Sequence, residues 1–406
     1  MYTTFAWRYF KAKKSANAIN IIAWVTVGVI AFATCCQLLV LSVFNGFEAL
    51  VKDSYSTFYS DIKIIPTKGK TFLLSADKLS ILSKQTFVQN ISTIAEEKAL
   101  LQNGDAQTVV YLKGVDEQYI NVSGVAQKTK KGKYEIGTAE YPTLIVGSGI
   151  EDAAGINLDG AFTSNELTII LPKKNSESND PLQSLSEGNA KASGVFTIQQ
   201  EFDNKYAITN IDFVKRQMNL QSDEFSAVEI KLKPAENPKK IKEQLATLVG
   251  TNYKVQTKYE QNTSLYNTMQ LEKWAIYAVL TLILIIAAFN MISALTMLVL
   301  EKKKDISILK SIGATKASIL KIFLAEGLLL GVIGCSIGIA LAMLICFIQV
   351  KWHIISLKGG TFLVNYFPVK IVATDILLVA VTALFIAFVA AWFPAYKASG
   401  QVIELK

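Results

Sequence analysis

Four long apolar stretches limit what this chain can fold into. Residues 19–47 contain no Asp, Glu, Lys or Arg, and residues 273–300, 319–350 and 374–396 contain very few. A helix needs about 20 predominantly apolar residues to cross the hydrocarbon core of a bilayer. The sequence therefore predicts an α-helical membrane protein with four transmembrane helices.

The composition agrees with a membrane protein. Of the 406 residues, 51% are hydrophobic, which is high for a soluble chain of this size. The formal net charge is +8, but the lysines are spread along the chain and form no arginine-rich cluster with interleaved aromatic residues. We therefore expect contact with membrane lipids and no binding of nucleic acid.

The range 48–272, between the first two predicted helices, is too long and too polar to be a re-entrant loop. Helical stretches are predicted at Ser75–Lys84 and Pro238–Val249, the second opening with a proline that the first turn tolerates. Alternating apolar and polar residues predict strands. These strands lie at residues 60–65, 108–112, 167–171, 195–198 and 227–231. The range predicts a large extracytoplasmic α+β domain inserted between helices 1 and 2.

The first helix is predicted to continue past the bilayer as a stalk, because Phe44, Phe47, Val51, Tyr55 and Phe58 recur at steps of three and four residues. Four basic residues precede this helix, which places the N-terminus inside the cell by the positive-inside rule. These residues are Arg8, Lys11, Lys13 and Lys14. With four spans, both termini are expected to be cytoplasmic.

The segment 301–318 is short and basic, and it lies between two apolar stretches. Ile306, Ile308, Leu309 and Ile312 are interpreted as one apolar helical face beside the lysines. Gly313 stands where a helix commonly ends with a residue in the left-handed backbone conformation, and Thr315 stands where its side chain can cap the start of the next helix. The local pattern predicts helix, turn, helix; it is also compatible with an ordinary cytoplasmic loop rich in lysine.

The sequence of this segment resembles the first cytoplasmic loop of the lipoprotein-releasing (Lol) ABC transporter permeases, in the FtsX-like permease superfamily. The matching stretch reads VLEKKKDISILKSIGA, from Val299 to Ala314. Residues 262–289 and the motif LSVFNGF at residues 41–47 also resemble family segments, in the same order. The chain is identified as a member of this family on these three separated motifs.

The resemblance implies that a coupling helix docks on a separate ATPase subunit. The residues that it assigns to this coupling are Glu301, Lys302, Lys303, Lys304, Asp305, Ile308, Leu309 and Gly313. It also implies a path for lipid-anchored cargo between helices 1 and 2 of two permease protomers. The residues that it places on this path are Phe44, Asn45, Phe47, Met269 and Trp274. The second protomer is an identical copy or a paralogue.

The predicted divisions combine the apolar pattern with this resemblance. They are a cytoplasmic N-terminus (1–18), transmembrane helix 1 (19–47), a periplasmic α+β domain with helical stalks (48–272), transmembrane helix 2 (273–300), a cytoplasmic coupling helix loop (301–318), transmembrane helix 3 (319–350), a periplasmic loop (351–373), transmembrane helix 4 (374–396) and a cytoplasmic tail (397–406). The resemblance implies that the protein lies in the bacterial inner membrane.

The polar range from Pro172 to Ser193 is predicted to be a long exposed hairpin loop between two strands. Its position corresponds to the hook by which one family subunit recruits a periplasmic lipoprotein chaperone, with Pro172, Asn179 and Pro181 as candidate residues. The alternative is an insertion without a partner. The sequence leaves both open.

Two features of the third span have structural interpretations. Gly327, Gly331, Gly334 and Gly338 recur at steps of three and four residues, which predicts a face suited to close helix packing within or between subunits. A carboxylate in a membrane helix is a candidate functional group. For Glu326, near the start of this span, a structural pair with Lys321 or a loop lysine is the favoured interpretation.

No catalytic or metal site is expected in this chain. His353 is the only histidine, and the four cysteines fall in apolar stretches. Gly69-Lys70-Thr71 imitates the end of a phosphate-binding loop, but Ile64 occupies the position of the required first glycine. We expect a non-enzymatic permease subunit that binds no cofactor, with ATP and Mg on the partner subunit.

Three functions are compatible with the sequence. The favoured one is the release of lipoproteins to a periplasmic chaperone by force transmitted from the ATPase. An efflux permease of the macrolide-exporter type usually carries a fused ATPase domain. A mechanical transducer that activates a periplasmic enzyme usually has a much smaller external domain.

Overall fold

The computed structural model describes residues 17–158, 166–174, 184–357 and 366–401. The helices are α1 (Asn17–Phe58), α2 (Ala76–Ser83), α3 (Tyr119–Val122), α4 (Ser148–Ala153), α5 (Gln200–Asp203), α6 (Ile211–Met218), α7 (Pro238–Val249), α8 (Lys258–Gln261), α9 (Thr263–Glu301), α10 (Lys303–Ser311), α11 (Lys316–Trp352) and α12 (Ala373–Ser399). The strands are β1 (Ile62–Pro66), β2 (Phe72–Leu73), β3 (Val88–Asn103), β4 (Ala106–Val115), β5 (Thr129–Gly132), β6 (Thr143–Gly147), β7 (Glu166–Pro172), β8 (Leu185–Phe196), β9 (Tyr206–Asn210), β10 (Glu224–Phe225), β11 (Ala227–Leu232) and β12 (Tyr253–Thr257).

Four helices of the described residues are long and apolar enough to cross a membrane: α1, α9, α11 and α12. The prediction of four such helices is confirmed at this level. Helix α1 continues without a break to Phe58, as the apolar steps beyond Asn45 predicted. In chain order, all twelve strands of the described residues lie between α1 and α9.

The chain divides into two compact units. The helical unit contains the described residues of Met1–Leu50, Asn267–Lys358 and Val364–Lys406. The sheet unit contains the described residues of Val51–Tyr266. Each unit has its own buried core.

Small residues bring the helices of the helical unit together. A Cβ at Gly327 would lie 2.4 Å from the Cβ of Ala391, and one at Gly331 would lie 2.6 Å from the Cβ of Ala387, so this half of α11 packs closely on α12. The next two glycines of the row, Gly334 and Gly338, approach α1 in the same way. The predicted glycine face is confirmed, and within this chain it packs against α12 and α1.

The sheet unit is built on one mixed sheet. Its strand order is β12-β1-β11-β3-β4-β9-β6-β8-β5, and β7 pairs with both β3 and β8. The pairings β3-β4-β9-β6-β8-β7-β3 therefore close a ring of six strands. The β4/β9 and β6/β8 pairs are parallel, while the remaining pairs are antiparallel. The unit is α+β in character, as the alternating pattern predicted.

Alternate residues of these strands face two apolar cores. The larger core includes Leu101, Leu112, Val146 and Ile169, and Phe213 of α6 packs against it. The smaller core contains the aromatic end of α1. Its members include Tyr55, Phe58, Tyr119, Phe196 and Phe202. The rings of Phe58 and Phe202 stack with their centroids 4.4 Å apart.

A charged pair is buried beneath the end of α1. The Nζ atom of Lys113 on β4 lies 2.8 Å from Oε1 of Glu229 on β11, and the two side chains are only 2% and 1% exposed. The same ammonium donates to the hydroxyl of Tyr119 at 2.9 Å and lies 5.0 Å from the ring centroid of Phe58. Burial raises the pKa of the Tyr119 hydroxyl well above its usual range, so the phenol stays neutral and accepts this hydrogen bond.

The predicted hairpin loop at Pro172–Ser193 is wrong over its second half. Strand β8 begins at Leu185, which pairs with Pro172 at the end of β7. The sequence signal was weak because the side chains that β8 buries here are small: Ala190 and Ala192 are both under 5% exposed. Gly188 lies against Phe213 and Gln217 of α6, where a Cβ would come within 2.4 Å of the Gln217 amide. The connection between the strands is therefore confined to residues 173–184.

Candidate functional site

The 301–318 segment forms the predicted helix, turn and helix. Helix α10 spans Lys303–Ser311, and Gly313 has φ +98°, in the left-handed region that favours glycine. The Thr315 hydroxyl then accepts from the backbone N–H of Ser318 at 3.2 Å and caps α11. At the start of α10, Lys302 and Asp305 form an ion pair at 3.3 Å. The local prediction from glycine and threonine is confirmed.

One side of α10 is held against the neighbouring helices. Ile306 is 2% exposed. It belongs to a core built from α9, α11 and α12, whose other members are Leu298, Val299, Ile319, Phe323, Ala395 and Ala398. On the next turn, the Lys310 ammonium donates to the carbonyl oxygens of Ser399, at 3.0 Å, and Gln401. This side of α10 is therefore occupied by the protein itself.

The opposite side of α10 is uncovered. Ile308 is 58% exposed and Ile312, just past the last turn, is 78% exposed. The interpretation that Ile306, Ile308 and Ile312 share one face is therefore wrong, because a helix turns 100° per residue and a step of two reverses the direction of the side chain. Among the other residues assigned to coupling, Glu301, Lys304 and Gly313 are exposed, while Lys302, Lys303, Asp305 and Leu309 are half-buried.

Glu326 lies within α11 and is 3% exposed. Its Oε2 atom has no hydrogen-bond partner among the described residues. Lys302, in the segment that precedes α10, is close enough to act on it electrostatically. A loop lysine is thus its charged neighbour, one of the two that the sequence suggested.

A cluster of three polar side chains joins three helices at Lys273, in the first third of α9 and 28 residues before the end of that helix at Glu301. The Lys273 ammonium lies 3.0 and 3.1 Å from the two carboxylate oxygens of Asp375 on α12. It also donates to Oδ1 of Asn45 on α1 at 3.0 Å, and Asn45 Nδ2 donates to Asp375 Oδ2 at 2.6 Å. Asn45 and Asp375 are buried, and 28% of the Lys273 side chain is exposed. We call these three residues the polar clasp.

The LSVFNGF motif of α1 also contacts residues 367–370, in the segment that precedes α12. The Lys370 N–H donates to the carbonyl oxygen of Ser42 at 2.9 Å, and the ring of Phe47 meets Phe367 edge-on at 5.9 Å. A Cβ at Gly46 would lie 2.2 Å from the backbone oxygen of Pro368. Glycine at position 46 is therefore required by the direct contact of α1 with this backbone.

Replacing Gly46 with alanine is expected to displace residues 366–370 from α1 and to destabilise the helical unit by about 1–3 kcal/mol, since backbone atoms cannot move aside as a flexible side chain can. Hydrogen exchange of the Lys370 amide measures the displacement. The matched control is Gly28→Ala on the same helix, where nothing lies within 4 Å of the added Cβ. Equal protection of Lys370 in both variants would contradict the prediction.

The comparisons with known proteins concern both the helical unit and the whole chain. Residues 277–403 match the family model of the FtsX-like permease C-terminal domain. The chain carries an FtsX-like permease domain. The chain is a membrane protein, and α9 to α12 form most of this domain.

The permease has relatives over nearly its whole length. It is 27% identical over 434 residues to the lipoprotein-releasing system transmembrane protein LolC of Neisseria meningitidis serogroup B, a match that covers 98% of this chain and 97% of the relative. It is 25% identical over 414 residues to the lipoprotein-releasing system transmembrane protein LolE of Haemophilus influenzae, covering 97% and 96%.

Among solved structures, the permease has a weak likeness to the crystal structure of the periplasmic region of MacB from Actinobacillus actinomycetemcomitans. The identity is 15% and the TM-score 0.36, with 54% of this chain and 98% of that chain covered. A score this low supports no conclusion.

The five residues predicted to line a cargo path differ in their surroundings. Among the described residues, Asn45 belongs to the polar clasp and Met269 is buried. Phe44 and Phe47 are half-buried, whereas Trp274 is 56% exposed. Trp274 is thus the member of this set that is most available to a partner or to lipid, and the cargo path stays a prediction.

The base of the β7–β8 hairpin is anchored by a buried carboxylate. Glu224 is 2% exposed and accepts from the ammonium of Lys174 and from the hydroxyl of Thr71. The pKa of Glu224 is lowered, because these hydrogen bonds outweigh the cost of its burial. Of the three candidate chaperone residues, Pro172 ends β7 and is exposed, while Asn179 and Pro181 lie outside the described residues.

Sequence reasoning missed three residues that the structure brings into these sites. No role is predicted for Lys273 or Asp375 from the sequence, although two opposite charges at the starts of two predicted spans are a usable signal. The sequence pattern places Ile312 on one apolar face with Ile306, whereas the structure leaves it 78% exposed. Within the described residues, no group of three or more His, Cys, Asp or Glu side chains is arranged to hold a metal ion.

Proposed function

We propose that this chain is the permease subunit of an ABC transporter that releases lipoproteins from the outer leaflet of the bacterial inner membrane. A separate ATPase subunit binds ATP and Mg and supplies the energy, and a periplasmic chaperone receives the cargo. Near full-length similarity to relatives named as lipoprotein-releasing system proteins supports this proposal.

The observation that carries the proposal is the division of α10 into a held side and a free side. Ile306 and Lys310 join the helix to its neighbours, while Ile308 and Ile312 present an apolar surface with no partner among the described residues. Exposed apolar side chains on an anchored helix suit docking to another protein. The occupant that we propose is the ATPase subunit, because the helix lies inside the FtsX-like permease domain.

Two unbroken helices provide a stiff route from this surface. Helix α9 has 39 residues and ends at Glu301, directly before α10. Helix α1 has 42 residues. At 1.5 Å per residue each helix is about 60 Å long, about twice the thickness of the hydrocarbon core. A displacement of α10 is proposed to travel along α9 towards the periplasmic side, where the sheet unit is proposed to lie.

Coupling to ATP has an energetic reason. Each CH₂ group of a lipid anchor that leaves the bilayer costs about 0.8 kcal/mol, so removing acyl chains requires an external source of free energy. The proposed transporter contains two permease protomers, identical or paralogous, that meet two ATPase subunits around a twofold axis. Cargo is proposed to enter near Trp274, between the helices of the two protomers.

Reconstitution tests this function. The permease complex, purified with its native ATPase and placed in lipid vesicles with a lipoprotein, is expected to transfer the lipoprotein to a soluble chaperone only when ATP is hydrolysed. A complex whose ATPase responds to a cell-wall hydrolase and never to lipoprotein would instead be a mechanical transducer. A complex that moves a small molecule and no lipoprotein would be an efflux permease.

A further inference from the structure

We propose that Lys310 is a positioning residue that ties α10 to the carboxyl end of α12, so that a displacement of α10 moves α12 with it. This inference rests on the proposed function, because it takes α10 as the segment that receives force from the ATPase. It adds α12 as a second route for that force, beside the direct continuation of α9.

The hydrogen bonds of Lys310 are made to carbonyl groups that have no N–H partner at the end of a helix. The last four carbonyl groups of a helix have no intrahelical N–H partner. Helix α12 ends at Ser399, and the Lys310 ammonium donates to the carbonyl oxygens of Ser399 and Gln401. A cation at this position is also favoured by the negative end of the helix dipole. Lys310 therefore acts as a C-terminal cap supplied by another helix.

The hydrogen bonds of Lys310 fix the position of α10 relative to α12, which its apolar contacts do not do. Ile306 touches a core shared by α9, α11 and α12, and apolar contacts of this kind are non-directional. Hydrogen bonds weaken steeply when their geometry is disturbed. A movement of α10 along the end of α12 would therefore break the Lys310 bonds first. Lys310 makes α12, rather than α11, the helix that follows α10.

The other end of α12 is also tied to its neighbours. Asp375 lies in the first turn of α12 and belongs to the polar clasp with Lys273 of α9 and Asn45 of α1. Helix α12 is thus joined by charged groups at both ends, to α10 through Lys310 and to α9 and α1 through Asp375. A force on α10 can reach the clasp through α12 as well as along α9.

The experiment measures the distance between α10 and α12 in the intact permease–ATPase complex. Nitroxide labels are attached at Ser311→Cys and Lys397→Cys, in a chain whose four native cysteines are replaced by alanine. Pulsed electron resonance compares the nucleotide-free complex with the complex trapped by ATP and vanadate. With Lys310 present, the distance within a protomer is expected to stay the same in both states. In the Lys310→Met variant, the distribution of this distance is expected to broaden, and its mean is expected to shift when the complex is trapped.

The functional readout accompanies this measurement in unlabelled chains. In Lys310→Met, ATP hydrolysis is expected to continue while ATP-driven lipoprotein release falls about fivefold to tenfold, and Lys310→Arg is expected to retain release. The matched control is Lys397→Met, which removes the same charge from the last turn of α12 at an exposed position. This control is expected to release lipoprotein like the native chain.

The outcomes separate this inference from the proposed function. A distance that changes on trapping in the native chain would overturn the inference, because α10 would then slide past α12. A Lys310→Met complex that matches the native one in both distance and release would also overturn it. A constant distance in a native complex that releases no lipoprotein would reject the proposed function and leave the inference standing. If the Lys310→Met chain does not assemble with the ATPase, the test is the label distance in the chain that keeps Lys310: a change on trapping overturns the inference, and a constant distance supports it.

Discussion

Replacing Lys113 with alanine is expected to destabilise the sheet unit by about 3–5 kcal/mol, the usual cost of removing one partner of a buried ion pair. The substitution leaves the Glu229 carboxylate, 1% exposed, without its ammonium partner at 2.8 Å, and only the longer ion pair with Lys63, at 3.8 Å, is kept. One carboxylate oxygen, Oε2, already has no hydrogen-bond partner among the described residues. The variant also leaves a cavity beneath Phe58, the last residue of α1.

Hydrogen exchange of the β4 and β11 amides in the full-length protein measures this effect. Lys98→Ala on the neighbouring strand β3 is the control, because Lys98 is exposed. The double variant Lys113→Met with Glu229→Leu is expected to recover most of the lost stability, since apolar residues of similar volume replace both charges. A single variant with native protection would show that the pair contributes little.

The second large effect is expected at the uncovered side of α10. Changing both Ile308 and Ile312 to aspartate is expected to weaken binding of the ATPase subunit about 30-fold or more. Full burial of each isoleucine contributes about 1.5–3 kcal/mol, and each 1.4 kcal/mol changes a dissociation constant tenfold. The permease fold is expected to be unaffected, because the two side chains are 58% and 78% exposed.

Titration of the detergent-purified variant with the ATPase subunit measures this affinity. Ile120→Asp, at a 47% exposed position of the sheet unit, is the control for adding charge to an exposed apolar position. Native affinity in the double aspartate variant would place the ATPase elsewhere on the permease. Loss of ATPase binding together with normal exchange of the α11 amides would support the proposed docking face.

These expectations depend on both local and long-range information. The apolar lengths of α1, α9, α11 and α12 are properties of contiguous residues, and the sequence predicted all four helices. The turn after α10 was predicted for the same reason, since Gly313 and Thr315 act within one helical turn of their positions. Strand β8 was partly missed because small buried side chains leave little apolar pattern.

The sequence by itself determined that this chain is a membrane protein with four apolar helices and an α+β unit, and that a capped helical turn connects α10 to α11. Only the tertiary structure decided which side of α10 is free, that Lys310 caps α12, and that Asn45 meets Asp375, 330 positions later in the chain. Hydrophobic length and helix capping are encoded within a few turns. The partner of a buried charge depends on packing between distant segments, which no local pattern specifies.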